Sequence, residues 1–210
     1  MTNLTVAAIA RSAAAAGATM TLAACGGSQA PDTGPHAVAR TTTRTAAQGA
    51  PHERPRGAVE DCSTRSEASF PDAFTDPRNL VVGPLVLVGA GYTPPSTVRE
   101  FGGNKFPALV RAGHRVTVVV SGEARRVTSL GYGPLPQGVE LSPRDGQTAV
   151  TFIACGRRVR SVSTADGHPV SFWSGFVLAR SPRCVPLNVW VDDEPSPRDA
   201  AVRMGVRRCP

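Results

Sequence analysis

The chain has 210 residues, of which 41% are hydrophobic and 19% charged, with a formal net charge of +7. That apolar share suffices for one packed domain and excludes a wholly disordered chain. The positive charge is spread along the sequence, nearly all of it arginine, and comes with no readable nucleic-acid motif, which sets nucleic acid aside as a partner.

Before the first acidic residue, Asp32, the only basic residue is Arg11. From Ser12 to Ala24 the chain is uncharged, mildly apolar and ends in small side chains. A short apolar run behind a positive start has the form of a secretory signal, and it falls short of the roughly 20 apolar residues of a membrane span. Leu22-Ala23-Ala24-Cys25 resembles the lipobox of bacterial lipoproteins. The resemblance implies cleavage before Cys25, a diacylglyceryl group on its sulfur, and a chain held on the outer, extracytoplasmic face of the cell membrane. Two acyl chains anchor stably where one binds reversibly. The competing reading is ordinary secretion with cleavage at the same small residues.

Residues 1–24 are therefore expected to be a signal peptide, 25–58 a lipid-anchored flexible tether, and 59–210 the folded domain. The tether stretch is rich in Thr, Ala, Pro and Gly and has no aromatic residue, so it cannot bury enough apolar surface to offset its ordering entropy. Its histidines, His36 and His52, read as solvated linker residues.

Beyond Cys25 four cysteines remain, Cys62, Cys155, Cys184 and Cys209. An even number in an exported domain predicts two disulfides, with three pairings open. Cys155 with Cys184 and Cys62 with Cys209 is the favoured pairing, because the second bridge would tie the two ends of the domain, which often lie close together. No C-x-x-C spacing is present, and no metal site or cofactor is expected.

In chain order, Leu80–Gly89 is a continuous apolar run. Val116, Val118 and Val120 alternate within 114–121, as do Val150, Phe152 and Ala154 within 148–155. Phe172, Phe176 and Leu178 are in phase within 171–179. Leu187, Val189 and Val191 align, and Val202, Met204 and Val206 point one way while Arg203 and Arg207 point the other. Short β-branched runs of period two, separated by Gly/Pro turns, predict strands. Only 96–99 and 106–111 suggest single helical turns. The fold class expected is all-β, a single β-sandwich, with an immunoglobulin-like architecture as one form of it, although the Trp and Cys spacing of antibody domains is absent.

Candidate chemistry is sparse. Ser174, in Phe172-Trp173-Ser174-Gly175, lacks the first glycine of a nucleophile elbow. With His168 and Asp166 it forms the one conceivable triad. Asp192-Asp193-Glu194 offers carboxylates for calcium but without a known loop spacing, and otherwise reads as a solvated turn. Arg125-Arg126, Arg157, Arg158, Arg160 and Arg207-Arg208 suit contact with anionic polymer or headgroups, or simply mark polar strand ends. Trp190 is out of phase with Val189 and Val191, so it either marks a binding surface or fills the far side of a sheet. Phe101-Gly102-Gly103-Asn104-Lys105-Phe106 is a glycine-rich loop with two aromatics that suits contact with a partner.

From Asn79 to Cys209 the chain resembles small exported proteins of high-GC Gram-positive bacteria without assigned activity, on Phe172 to Gly175, the Cys155 and Cys184 pair, and Val189 to Pro195. No functional residues come with that resemblance. The sequence points to a membrane-anchored, non-catalytic binding module of the cell envelope, partnered by an envelope protein or wall polymer. The alternative is an envelope hydrolase with an unrecognised active site.

Overall fold

The computed structural model describes residues 55–136, 140–159 and 162–210. Cys25, the signal segment, and the tether up to residue 54 lie outside the described residues. The chain runs β1 (Ala58–Glu60), β2 (Leu80–Val82), β3 (Leu85–Leu87), α1 (Pro95–Phe101), β4 (Gly103–Lys105), β5 (Ala108–Arg111) and β6 (Arg115–Val120). After a 3-10 turn at Gly122–Arg126 come β7 (Thr128–Tyr132), β8 (Ala149–Ile153), β9 (Val162–Ser163), β10 (Pro169–Trp173), β11 (Gly175–Ala179), β12 (Arg183–Val191) and β13 (Arg198–Met204). The fold class is all-β, as the alternation predicts.

One sheet has the order β1-β8-β6-β12-β13, a second β2-β3-β5-β10-β9, and a third β4-β11-β7. The last two join into one bent layer. Trp173 lies opposite Ala108 and Phe176 opposite Lys105, and the Phe106 N–H donates to the Gly175 carbonyl at 2.9 Å. The antiparallel register thus continues unbroken across the bend, where by the same register Pro107 faces Ser174.

The first sheet and this bent layer enclose a shared core. Val116, Val118, Val120, Val150, Phe152, Leu187, Val189, Val191, Val202 and Met204 come from the first sheet, and Leu85, Leu87, Ala108, Val110, Trp173, Val177 and Ala179 from the bent layer. This packing fits a β-sandwich. Residues predicted inward from alternation in β6, β8, β12 and β13 do point inward. Val206 is the exception, because β13 ends at Met204.

A second cluster covers the other face of the β3-β5-β10 sheet. Phe70, Ala73 and Phe74 from the long connection after β1 pack on Val86, Leu109, Val170 and Phe172. The Phe70 and Phe172 rings stand 5.3 Å apart, and the Arg111 guanidinium lies 4.0 Å from the Phe74 centroid. Buried on both faces, β5 shows no alternation, which is why 106–111 suggests a helical turn in sequence whereas Ala108–Arg111 forms a strand. The helical turn expected at 96–99 is real and longer. Pro95 opens α1 at its first position, and Gly102, at φ 63°, ends it in a left-handed cap. The 80–89 run is a hairpin, with Gly83 at φ 56° and Pro84 forming the two-residue turn between β2 and β3.

The disulfides correct the expected pairing. Cys62 joins Cys155 and Cys184 joins Cys209, with Cα separations of 4.9 and 5.4 Å. β1 runs parallel to β8 with Glu60 opposite Phe152, which carries Cys62 to the end of β8. Cys184 lies on β12 opposite Arg203, and the tail beyond β13 folds back to it. The first bridge follows from strand pairing and the second from the returning tail, and neither joins Cys62 to Cys209.

Candidate functional site

The glycine-rich stretch that follows α1 forms one side of an open cleft of about 420 Å³. α1 contributes Thr97, Glu100 and Phe101, which share a face because residues three and four apart are neighbours on a helix. The floor is the outer face of β4 and β11. Phe176 lies opposite Lys105 and Leu178 opposite Gly103, while the alternate residues Val177 and Ala179 enter the core. Glu140 and Leu141 form the far wall.

Glycine at 103 is obligatory, since a Cβ there would lie 2.5 Å from the Val177 carbonyl oxygen. Asn104 is fixed at both ends of its amide. Its Nδ2 donates to Thr93 Oγ1 at 3.1 Å, and its Oδ1 accepts from the Lys105 N–H at 2.9 Å. Phe101 remains 59% exposed, the most exposed of the large apolar residues described. The cleft therefore combines an apolar floor and an exposed ring with a rim of Glu100, Glu140 and Lys105, the only lysine of the chain. A concave apolar surface of this size with a few polar groups is the form of ligand sites generally. Of the two aromatics in the sequence motif only Phe101 serves it. Phe106 is fully buried.

Other candidates are dispersed or already engaged. His168 precedes β10 and Ser174 follows it, so the two are separated by the length of that strand, roughly 20 Å at about 3.3 Å per residue. Asp166 accepts from the Thr164 hydroxyl, the Arg111 guanidinium (2.8 Å) and the His168 backbone N–H (3.3 Å). The Thr164 hydroxyl, then Arg111, hold its carboxyl well below the usual range. It stabilises a turn, and the triad does not assemble.

Asp192 sits at φ 44°, a conformation Asp tolerates better than most residues. Its carboxylate meets His114 Nδ1 at 2.7 Å and accepts from the Arg115 N–H at 2.9 Å. Burial pushes this carboxyl up, but the Arg115 N–H and the His114 ring outweigh burial and leave it below its ordinary value. Glu194 pairs with Arg198. The acidic run thus closes the turn between β12 and β13, and among the described residues no cluster of His, Cys, Asp or Glu has the arrangement of a metal site.

Trp190 is 6% exposed and lies outside the main core cluster, opposite Thr117 on β6. It fills the far side of the sheet and offers no open binding surface. Trp173 is buried in the core, and its indole N–H donates to the Asp61 carbonyl at 3.1 Å. Arg125, Arg126, Arg157, Arg158, Arg207 and Arg208 are exposed at separate places. Arg126 pairs with Glu123 at 2.8 Å. Arg160 lies outside the described residues.

Sequence reasoning missed the cleft's far wall and floor. Glu140 and Leu141 are in no motif, and Phe176 reads as an ordinary strand residue. Among the described residues no helix is long and apolar enough to cross a membrane. No family model matches this chain, and comparison with curated proteins and with solved structures finds no match.

Proposed function

We propose that this protein is a lipid-anchored extracytoplasmic binding module of the cell envelope, whose ligand or partner seats in the cleft between α1, β4 and β11. One observation carries the reading: the exposed Phe101 ring lines, together with Phe176, Leu178 and Leu141, a concave and largely apolar site of about 420 Å³. Anchoring through Cys25 rests on the lipobox resemblance. It would present the cleft to wall polymer or to neighbouring envelope proteins.

Crosslinking in intact cells, followed by purification from membranes, tests the reading. The same protein or wall polymer should be captured with the native chain and lost with Phe101→Ser and with Phe176→Ala. Capture that survives both substitutions places the partner elsewhere and refutes the cleft as its site.

A further inference from the structure

We infer a second, chemically distinct site: the cavity under Glu60 receives an organic cation, an ammonium or guanidinium group. Glu60 ends the edge strand β1 and is only 5% exposed. It lines a cavity of about 350 Å³ together with Thr64, Ser66, Gly133, Pro134, Trp173 and Ser174. Among the described residues its carboxylate has neither a hydrogen-bond donor nor an ion-pair partner. The side chain is enclosed, while its carboxylate oxygens reach the open cavity and leave their acceptor capacity free for a ligand.

The surroundings favour a cation. Two charged groups close to it in sequence, Arg65 and Asp61, are turned to local partners. Arg65 Nη1 donates to the Cys62 carbonyl at 2.8 Å, and Asp61 Oδ1 accepts from the Ser63 N–H at 2.8 Å and its hydroxyl at 2.6 Å. No basic side chain lines the cavity. The Ser66 and Ser174 hydroxyls have no partner among the described residues, and both add acceptors beside the carboxylate. Thr64 is already engaged with Asp61 and with the Trp173 indole, which holds the Trp173 ring in place. That ring and Pro134 supply apolar contact for methylenes, and an indole also attracts cations.

Gly133 leaves room for the carboxylate: a Cβ on it would lie 2.5 Å from Glu60 Oε1, and its φ of 87° favours glycine at the end of β7 in any case. With a single carboxylate the site is poor for calcium, which wants six to eight oxygens. One carboxylate with flanking hydroxyls matches the donors of one amine or guanidinium.

The test is calorimetric titration of the full chain with agmatine and with n-butylamine, using n-butanol as the uncharged control. Saturable binding at one site per chain is expected for the cations and none for butanol. Glu60→Gln should weaken cation binding roughly tenfold or more, the range of a charged hydrogen bond. Glu60→Gln should also melt at about the same temperature as the native chain, because no group of the fold among the described residues pairs with the carboxylate. Phe176→Ala, in the other cleft, should bind the cations unchanged, which separates this inference from the proposed function. Equal binding by Glu60→Gln, no binding of either cation to the native chain, or a lowered melting temperature for Glu60→Gln would each overturn it, the last by revealing that the carboxylate has a structural partner.

Discussion

Cys62 and Cys155 are bonded just beyond the parallel pair β1 and β8, with their Cα atoms 4.9 Å apart at a sequence separation of 93. The bridge pins the first strand of the domain to the sheet it borders. A loop of that length restricts the unfolded chain strongly, by about 4–5 kcal/mol in the chain-entropy model. Replacing both Cys62 and Cys155 by Ala should lower unfolding free energy by about that amount. Peptide mapping under non-reducing conditions should recover Cys62 linked to Cys155 and Cys184 linked to Cys209. A Cys62–Cys209 peptide would contradict the structure.

Gly175 faces Tyr132 across β11 and β7, and a Cβ at 175 would stand 2.1 Å from the Tyr132 ring. The ring cannot retreat, because its hydroxyl donates to the Phe106 carbonyl at 2.7 Å and its edge packs on Phe152 with centroids 4.9 Å apart. Burial pushes the phenol's pKa up, so it remains a donor at any physiological pH. Gly175→Ala should cost about 1–3 kcal/mol through overpacking. A urea transition unchanged in midpoint would show that Tyr132 is free to move.

Asp192 carries one part of the acid dependence of stability, beside the more strongly depressed Asp166. Against the effect of burial, its folded pKa lies below the ordinary carboxylate value, held there by the Arg115 N–H and the His114 ring, so its charged form is favoured by folding. The resulting stability is present above the unfolded pKa and is lost as pH falls through the depressed folded value. Asp192→Asn keeps a residue that tolerates positive φ while removing the charge. With the carboxylate 43% exposed, the loss near neutral pH should be no more than about 1 kcal/mol, shrinking below pH 4. Melting curves of the two proteins that fail to converge in acid would refute this assignment.

Phe101→Ser alters an exposed ring at the end of α1. Stability should change by no more than about 0.5 kcal/mol, while capture of the cleft partner is lost. A variant that unfolds early would show that Phe101 packs structurally.

Lipidation at Cys25 makes a mass prediction. Chain isolated from membranes should lack residues 1–24 and carry a diacylglyceryl group, and Cys25→Ala should leave the membrane fraction. A native chain of unmodified mass in the soluble fraction would refute the anchor.

Alternation along β6, β8, β12 and β13 was legible because period two is a property of single strands, and a sheet with one buried face displays it directly. β5 was not, since both of its faces are covered and its sequence carries no period. β1 and β4 were too short to register as strands. Glu60 reads in sequence as one more charge near the start of the domain. Only β1's pairing with β8 and the approach of Gly133 turn it into a buried carboxylate facing a cavity. The Phe101 to Phe106 motif was visible, but which of its two rings would stay exposed depended on the unbroken β4 and β11 register.

By itself the sequence determined the all-β class, the inward faces of four principal strands and the presence of four cysteines to be paired. Tertiary structure alone decided which cysteines meet, which aromatic rings are open, and where an acidic side chain is enclosed. The reason is that alternation is local and repeats every two residues, whereas these outcomes depend on contacts between segments tens of residues apart.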